Sequence, residues 1–201
     1  QLLGGAIAIA LLLPAVSKVR EAAARQSDSN NLRQIGLGTL NFDSANGKLP
    51  PADGPVSWRV HLLPYIEQNN LYRQFDLRQP WDGPTNKPLA SSRVRTYQSA
   101  GDGAGAGAET RYRVFVGPGA LFDPTRPQPW TVSSVPDGSS STILAVEAGD
   151  AVPWPQPKEL AYERGGALPA LGYPGRKVVL VVMLDGTVRA LAKDTAPAVL
   201  R

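Results

Sequence analysis

Between Leu2 and Val16 the chain reads LLGGAIAIALLLPAV, a run of fifteen residues without a charged side chain. Coiled as a helix, it would span about 22 Å at 1.5 Å per residue, short of the roughly 30 Å hydrocarbon core of a bilayer. The run therefore predicts either partial insertion or a hydrophobic segment that continues upstream. Two other readings stay open, a secretory signal and a buried core helix. Against the first, no basic stretch precedes the run, and Lys18, Arg20 and Glu21 follow it before any plausible cleavage site.

Helical character continues through VSKVREAAARQSDSNNLRQIGLGTLNF, which is rich in Ala, Arg, Glu and Gln. Val16, Val19 and Ala23, then Leu32, Ile35, Thr39 and Phe42, recur at steps of three and four, so one apolar stripe persists where all-round hydrophobicity ends. Such a helix is expected to leave one environment and then lie against a folded head. Pro14 is expected to kink it by removing a backbone donor and crowding the preceding turn. Gly36 and Gly38 mark weakness or close packing, and Asn46 with Gly47 ends the helix ahead of Pro50 and Pro51.

The remainder alternates between short periodic pieces and turn chemistry. Leu63, Ile66, Leu71 and Phe75 share a helical face, which predicts a short helix over Pro64 to Gln74. Arg93 to Gln98 and Arg111 to Val116 alternate like strands around the small, polar loop GDGAGAGAE. Pro-rich coil covers Gly117 to Pro129. Ser141 to Ala148 reads as a buried strand, and Asp150 to Gly175 as a long loop. Val178 to Leu184 is apolar on both faces, as in a central strand, and Asp185 with Gly186 signals a hairpin in which both residues tolerate positive φ. The expected class is α+β: a spine helix over 1–47, and over 48–201 a small antiparallel β-sheet head with long Pro/Gly-rich loops.

Composition sharpens this picture in two respects. Twenty Gly and 19 Pro among 201 residues call for many turns, and the absence of cysteine excludes disulfides, thiol catalysis and Cys-ligated metal. The net charge of +4 suits weak attraction to lipid head groups or acidic polymers and falls short of a dedicated nucleic-acid surface, so no specific nucleic acid is expected as a partner.

Candidate chemistry is sparse. His61, the single histidine, lies in the apolar run WRVHLLPY and reads as a packed side chain rather than a base; one histidine cannot build a His-rich metal site. Ser139 to Ser141 reads as a turn entering a strand, and Gly103, Gly105 and Ala108 precede a strand where a dinucleotide fingerprint needs a helix. Asp76, Asp82, Glu147 and Asp150 lack calcium-loop spacing and read as solvated charges. Arg93 with Arg95, and Arg111 with Arg113, each sit two apart; if their strands pair, four guanidiniums gather as an anion-binding face, for which an acidic polysaccharide is the candidate ligand, although an outward solvated face explains them too. Trp81, Trp130 and Trp154 lie in Pro-rich loops, where they cover sheet edges or offer exposed contacts. Catalytic residues, metal and cofactors are all expected to be absent.

Read in order, LLLPAVSKVREAAARQSDSNNLRQIGLGTLNF, GKLPP, WRVHLLPYIEQNNLYRQFDLRQPWDGPTNKPL, VGPGALF, PDGSSSTILAVEAGDAVPW and LDGTVRAL resemble a large bacterial family of prepilin-like proteins whose head is a domain of unknown function. The resemblance covers nearly the whole chain. It implies the fold of type IV pilins and type II secretion pseudopilins, and with it a non-catalytic subunit of a filament or secretion apparatus in the cell envelope. Assembly as a homo- or hetero-oligomer would run through Leu2, Leu3, Ile7, Ile9, Leu11, Leu12, Leu13, Val16 and Val19, with membrane lipid around them beforehand and the head outside the cytoplasm. A membrane-tethered, non-polymerising binder of an anionic glycan is the alternative. Lys18, Arg20 and Arg25, taken alone, favour the opposite orientation. The sequence departs from the family in lacking the Phe-Thr-Leu-Ile-Glu processing signature and in carrying Asp28 and Gln98 where the resemblance places a cysteine pair. It also has Tyr173-Pro174-Gly175 where a His-Pro-Gly is usual.

Overall fold

The computed structural model describes residues 3–103 and 107–194, with side chains from residue 16 onward. One helix, α1 (Leu3–Asn46), forms the spine, running unbroken past Pro14 for 44 residues, roughly 66 Å at the usual rise. Its stop is the expected one: Gly47 takes φ +66 and returns its N–H to the Asp43 carbonyl at 2.7 Å. The stripe Leu32, Ile35, Thr39 and Phe42 is buried as its spacing predicts, and Asp28 begins it. Gly36 is required by close approach, since a Cβ there would meet Gly186 Cα and Val182 Cγ2 at 2.9 Å.

The head is built on a four-stranded antiparallel sheet ordered β1 (Glu109–Arg113), β3 (Ile143–Pro153), β5 (Val178–Met183), β6 (Val188–Ala192). A parallel pair, β2 (Phe115–Val116) and β4 (Leu160–Ala161), lies apart. Val178 to Leu184 is central, as its two-faced apolarity predicts. Leu180, Val182 and Leu184 join the core against α1, while Val179, Val181 and Met183 join a second cluster with Val146, Ala148 and Leu160. The architecture is the expected α+β one, a long N-terminal helix with an antiparallel sheet, and the C-terminal part of α1 belongs to the same core as the head.

Several local expectations are corrected. Pro64 to Gln74 is not one helix but the tail of three pieces, α2 (Trp58–Leu62), a 3-10 turn (Leu63–Ile66) and α3 (Asn69–Tyr72), broken at Glu67, which takes φ +63. Arg93 to Gln98 is no strand; Arg95–Tyr97 forms a 3-10 turn whose Val94 and Tyr97 are buried. The strand expected at Ser141 starts at Ile143 and continues to Pro153, so Asp150 is a strand residue. At the final hairpin only Gly186 has positive φ (+83); Asp185 instead accepts from the N–H and hydroxyl of Thr187 at 2.8 and 2.7 Å, within a connection that runs from Leu184 to Thr187 rather than a two-residue turn. Part of the GDGAGAGAE loop, residues 104–106, lies outside the described residues.

Candidate functional site

Two surfaces of α1 concern function, one clamped by the head and one open. The clamp centres on Asp28, fully buried at the first contact of helix and head. Its Oδ1 accepts from the Ala100 N–H at 2.6 Å and the Tyr112 hydroxyl at 2.8 Å, and its Oδ2 from Arg176 Nη1 at 2.7 Å. Arg176 also reaches Glu147 Oε1 at 3.1 Å, while Glu147 Oε2 is buried without a partner. Burial pushes the Glu147 carboxyl above its ordinary range; Arg176 opposes that rise and Asp28 adds to it. Tyr173 lies between Arg176 and Arg111, its ring centroid 4.7 and 5.0 Å from the two guanidinium carbons. Positions 28 and 98 are linked through Tyr112, whose hydroxyl lies 2.8 Å from Asp28 Oδ1 and 3.5 Å from the Gln98 carbonyl, and Asn31 Nδ2 donates to that carbonyl at 2.9 Å. Where the resemblance places a cysteine pair, this chain has a buried hydrogen-bonded ion cluster.

Glu147 is thus not the solvated charge its sequence suggested, whereas Asp150 is exposed to solvent as expected while pairing with Arg113 at 2.9 Å. The expected four-arginine face does not form as described. Arg93 and Arg95 are exposed around a turn rather than on a strand, Arg111 forks onto Asp102 at 2.8 to 3.0 Å, and Arg113 is buried between Asp150 and the Glu159 carbonyl. Half of the intended anion site is therefore already satisfied by the chain's own acceptors.

Sequence reasoning missed the largest polar hub in the head. Arg59, hidden in WRVHLLPY, is fully buried and donates to the carbonyls of Trp154 (2.7 Å), Tyr112 (2.8 Å) and Gln156 (2.9 Å), and pairs with Glu159 at 2.9 Å. It ties α2 to the outer edge of β1 and the loop after β3. The planar five-donor guanidinium is the one side chain able to serve so many acceptors at once. The only local signal was a lone charge inside an apolar run. His61 is half-buried, its ring edge-on to Phe42 at 6.5 Å, and its pKa is lowered by burial and then by Lys48. Trp154 is buried and bonded to the Ser92 carbonyl, as an edge-covering role predicts, whereas Trp81 and Trp130 are half-buried.

The open surface is the rest of α1. From Val16 to Ser27 no side chain is buried. Among the described residues the large exposed hydrophobics are Val16 (46% exposed), Val19 (68%) and Leu37 (51%), all on this helix. Val19 and Leu37 stand about five turns apart at 3.6 residues per turn and share one azimuth, facing away from Asp28, Ile35 and Thr39. The other assembly residues, Leu2, Leu3, Ile7, Ile9, Leu11, Leu12 and Leu13, have side chains outside the described ones. Among the described residues no helix is long and apolar enough to cross a membrane. Nor, among them, does any group of three or more metal-ligating side chains converge.

Residues 17–177 match a family model described as a protein of unknown function (DUF1559). No curated protein and no solved structure matches.

Proposed function

From the premise that the chain belongs to the family of proteins of unknown function DUF1559, we propose that it is a non-catalytic, pilin- or pseudopilin-like structural subunit. It serves a cell-envelope filament or secretion apparatus of the type IV pilus or type II secretion kind. Assembly runs through its N-terminal helix. The observation that carries this reading is the set of exposed hydrophobics Val16, Val19 and Leu37 along α1. Single exposed hydrophobics need no explanation, but here the large ones align on one helix that continues the uncharged run Leu2 to Val16. Burying each against a neighbouring helix contributes on the order of 1.5 to 3 kcal/mol, so a dozen such groups outweigh contacts between heads. The apolar front partitions into lipid before assembly and into a helical bundle afterward, with the head outside the cytoplasm.

Electron microscopy of the full-length protein tests the reading directly, with filaments expected. Changing Ile9→Asp and Leu12→Asp together should abolish both membrane retention and assembly while the head stays folded. Retention of both properties in a fractionation assay refutes it. The alternative, a tethered subunit that never polymerises, predicts membrane retention without filaments in the same preparations.

A further inference from the structure

Beside the C-terminal end of α1 lies a cleft of about 260 Å³ that the assembly reading does not use. One wall is the segment from Lys48 to Asp53 and the other the loop carrying Phe122, Asp123, Arg126 and Trp130. The walls are joined by the Leu49 N–H, which donates to the Trp130 carbonyl at 3.2 Å, and Lys48 lines the same cleft. The Arg126 guanidinium lies over Trp130, its central carbon 3.5 Å from the ring centroid, and its Nε turns back to the Gln128 carbonyl at 3.4 Å. The contact with the ring holds the fork in the cleft and leaves Nη1 and Nη2 without a partner among the described residues.

The charges around the cleft are unequal in availability. Asp123 lines the same cleft and its charge is felt by Arg126, but it makes no ion pair with it, because both of its oxygens are held by its own turn: Oδ2 by the Gly119 N–H at 3.0 Å, Oδ1 by the N–H and hydroxyl of Thr125 at 2.9 and 2.6 Å. No carboxylate among the described residues pairs with Lys48 or Arg126. Both cations therefore keep their donor N–H groups available to an anion's oxygens. Asp53, also in the lining, has no donor among the described residues; it can accept hydroxyl protons, and it would repel a bare inorganic anion. Phe122, Trp130 and the prolines supply the apolar remainder, the kind of surface that the C–H faces of a sugar ring cover. The volume sits just below the roughly 300 Å³ at which small-molecule sites begin, which suits a unit of monosaccharide size.

We propose that this cleft binds an acidic saccharide unit, its carboxylate on Arg126 and Lys48, its hydroxyls toward Asp53 and its ring against the aromatic and proline wall. The site lies at the far end of α1 from the apolar front, so occupancy does not compete with burial of Val16 or Val19, and the proposal stands or falls separately from the assembly reading. The test is isothermal titration of the full-length chain with trigalacturonic acid, its fully methyl-esterified form and inorganic phosphate. Saturable binding of the acid is expected, at least tenfold weaker for the ester and at least tenfold weaker in Arg126→Gln, with a several-fold loss in Lys48→Gln. Both side chains are exposed, and unchanged unfolding midpoints confirm that the variants remain folded. No saturable binding of the acid, equal binding in both variants, or phosphate competing as well as the trimer would overturn the proposal.

Discussion

The two stretches of α1 carry similar helix-forming residues but stand in different company. From Asp28 to Phe42 the helix contributes a buried stripe to the head, with an ion cluster at one end and Phe42 between the rings of His61 and Tyr65 at the other. From Val16 to Ser27 no side chain is fully buried, although Val19 is as apolar as the valines of the core. Helix propensity cannot distinguish the two, because a helix is extended by local bonding and only then selected by packing. What differs is the partner: one stretch finds it within the chain, the other does not. Perturbations of the first should therefore register in stability, and perturbations of the second in association.

The largest effect is expected at the boundary between them. Asp28→Ala strips the Ala100 N–H and the Tyr112 hydroxyl of their acceptor and leaves Arg176 facing Glu147 alone in a buried setting. Removing one partner of a buried, hydrogen-bonded pair costs about 3 to 5 kcal/mol, a large share of the ~5 to 15 kcal/mol available to a domain. Urea unfolding of the variant should show this loss, whereas Arg25→Ala, a few residues earlier on the exposed stretch, should stay within about 0.5 kcal/mol of the parent. Equal costs at the two positions would erase the distinction.

A smaller effect belongs to the same cluster and depends on pH. The folded chain holds a proton on Glu147 more tightly than the unfolded chain does, because burial raises the carboxyl above its ordinary value of 4.5. Protons are therefore released on unfolding, and this contribution to stability is fully present below pH 4.5 and declines as pH rises through the raised folded value. Glu147→Gln should flatten that part of the stability-against-pH curve, measured by thermal unfolding across mildly acidic pH. A variant curve that retains the parent's slope would assign the titration elsewhere.

What could be read from the sequence follows the same division between local and distant causes. The stripe Leu32, Ile35, Thr39 and Phe42, the stop at Gly47 and the two-faced strand over Val178 to Leu184 are all set by spacing within a few turns or residues, and they emerge as expected. Arg59 and Glu159 are a hundred positions apart, and Asp28 and Arg176 further still, so no window reveals that each charge has a buried complement. Arg93 to Gln98 alternates like a strand yet turns, because Val94 and Tyr97 are drawn into the core around Trp154, with which Tyr97 stacks at 5.7 Å. The tertiary contact overrides the period there. The cleft at Trp130 was legible only as aromatic and basic residues in a Pro-rich loop, without the neighbour from Lys48 to Asp53 that completes it.

The smallest expected effect on stability is the most discriminating. Val19→Asp with Leu37→Asp places two charges on α1 at side chains that are 68% and 51% exposed, so that both charges reach water in the isolated subunit. Folding of the isolated subunit should therefore change by no more than about 0.5 kcal/mol per site. If neighbouring copies cover this face, the same charges would be buried unpaired at every contact, and a buried charge without a partner is far more costly than a lost methyl contact. Sedimentation should then show the variant as a monomer under conditions where the parent assembles, with superimposable unfolding curves for the two. A variant that assembles normally would mean that the outward stripe is merely solvated, and one that unfolds would mean that it packs against the chain's own head. Only the combination of intact fold and lost assembly is consistent with a helix whose second half is held by its own head and whose first half is held by another copy.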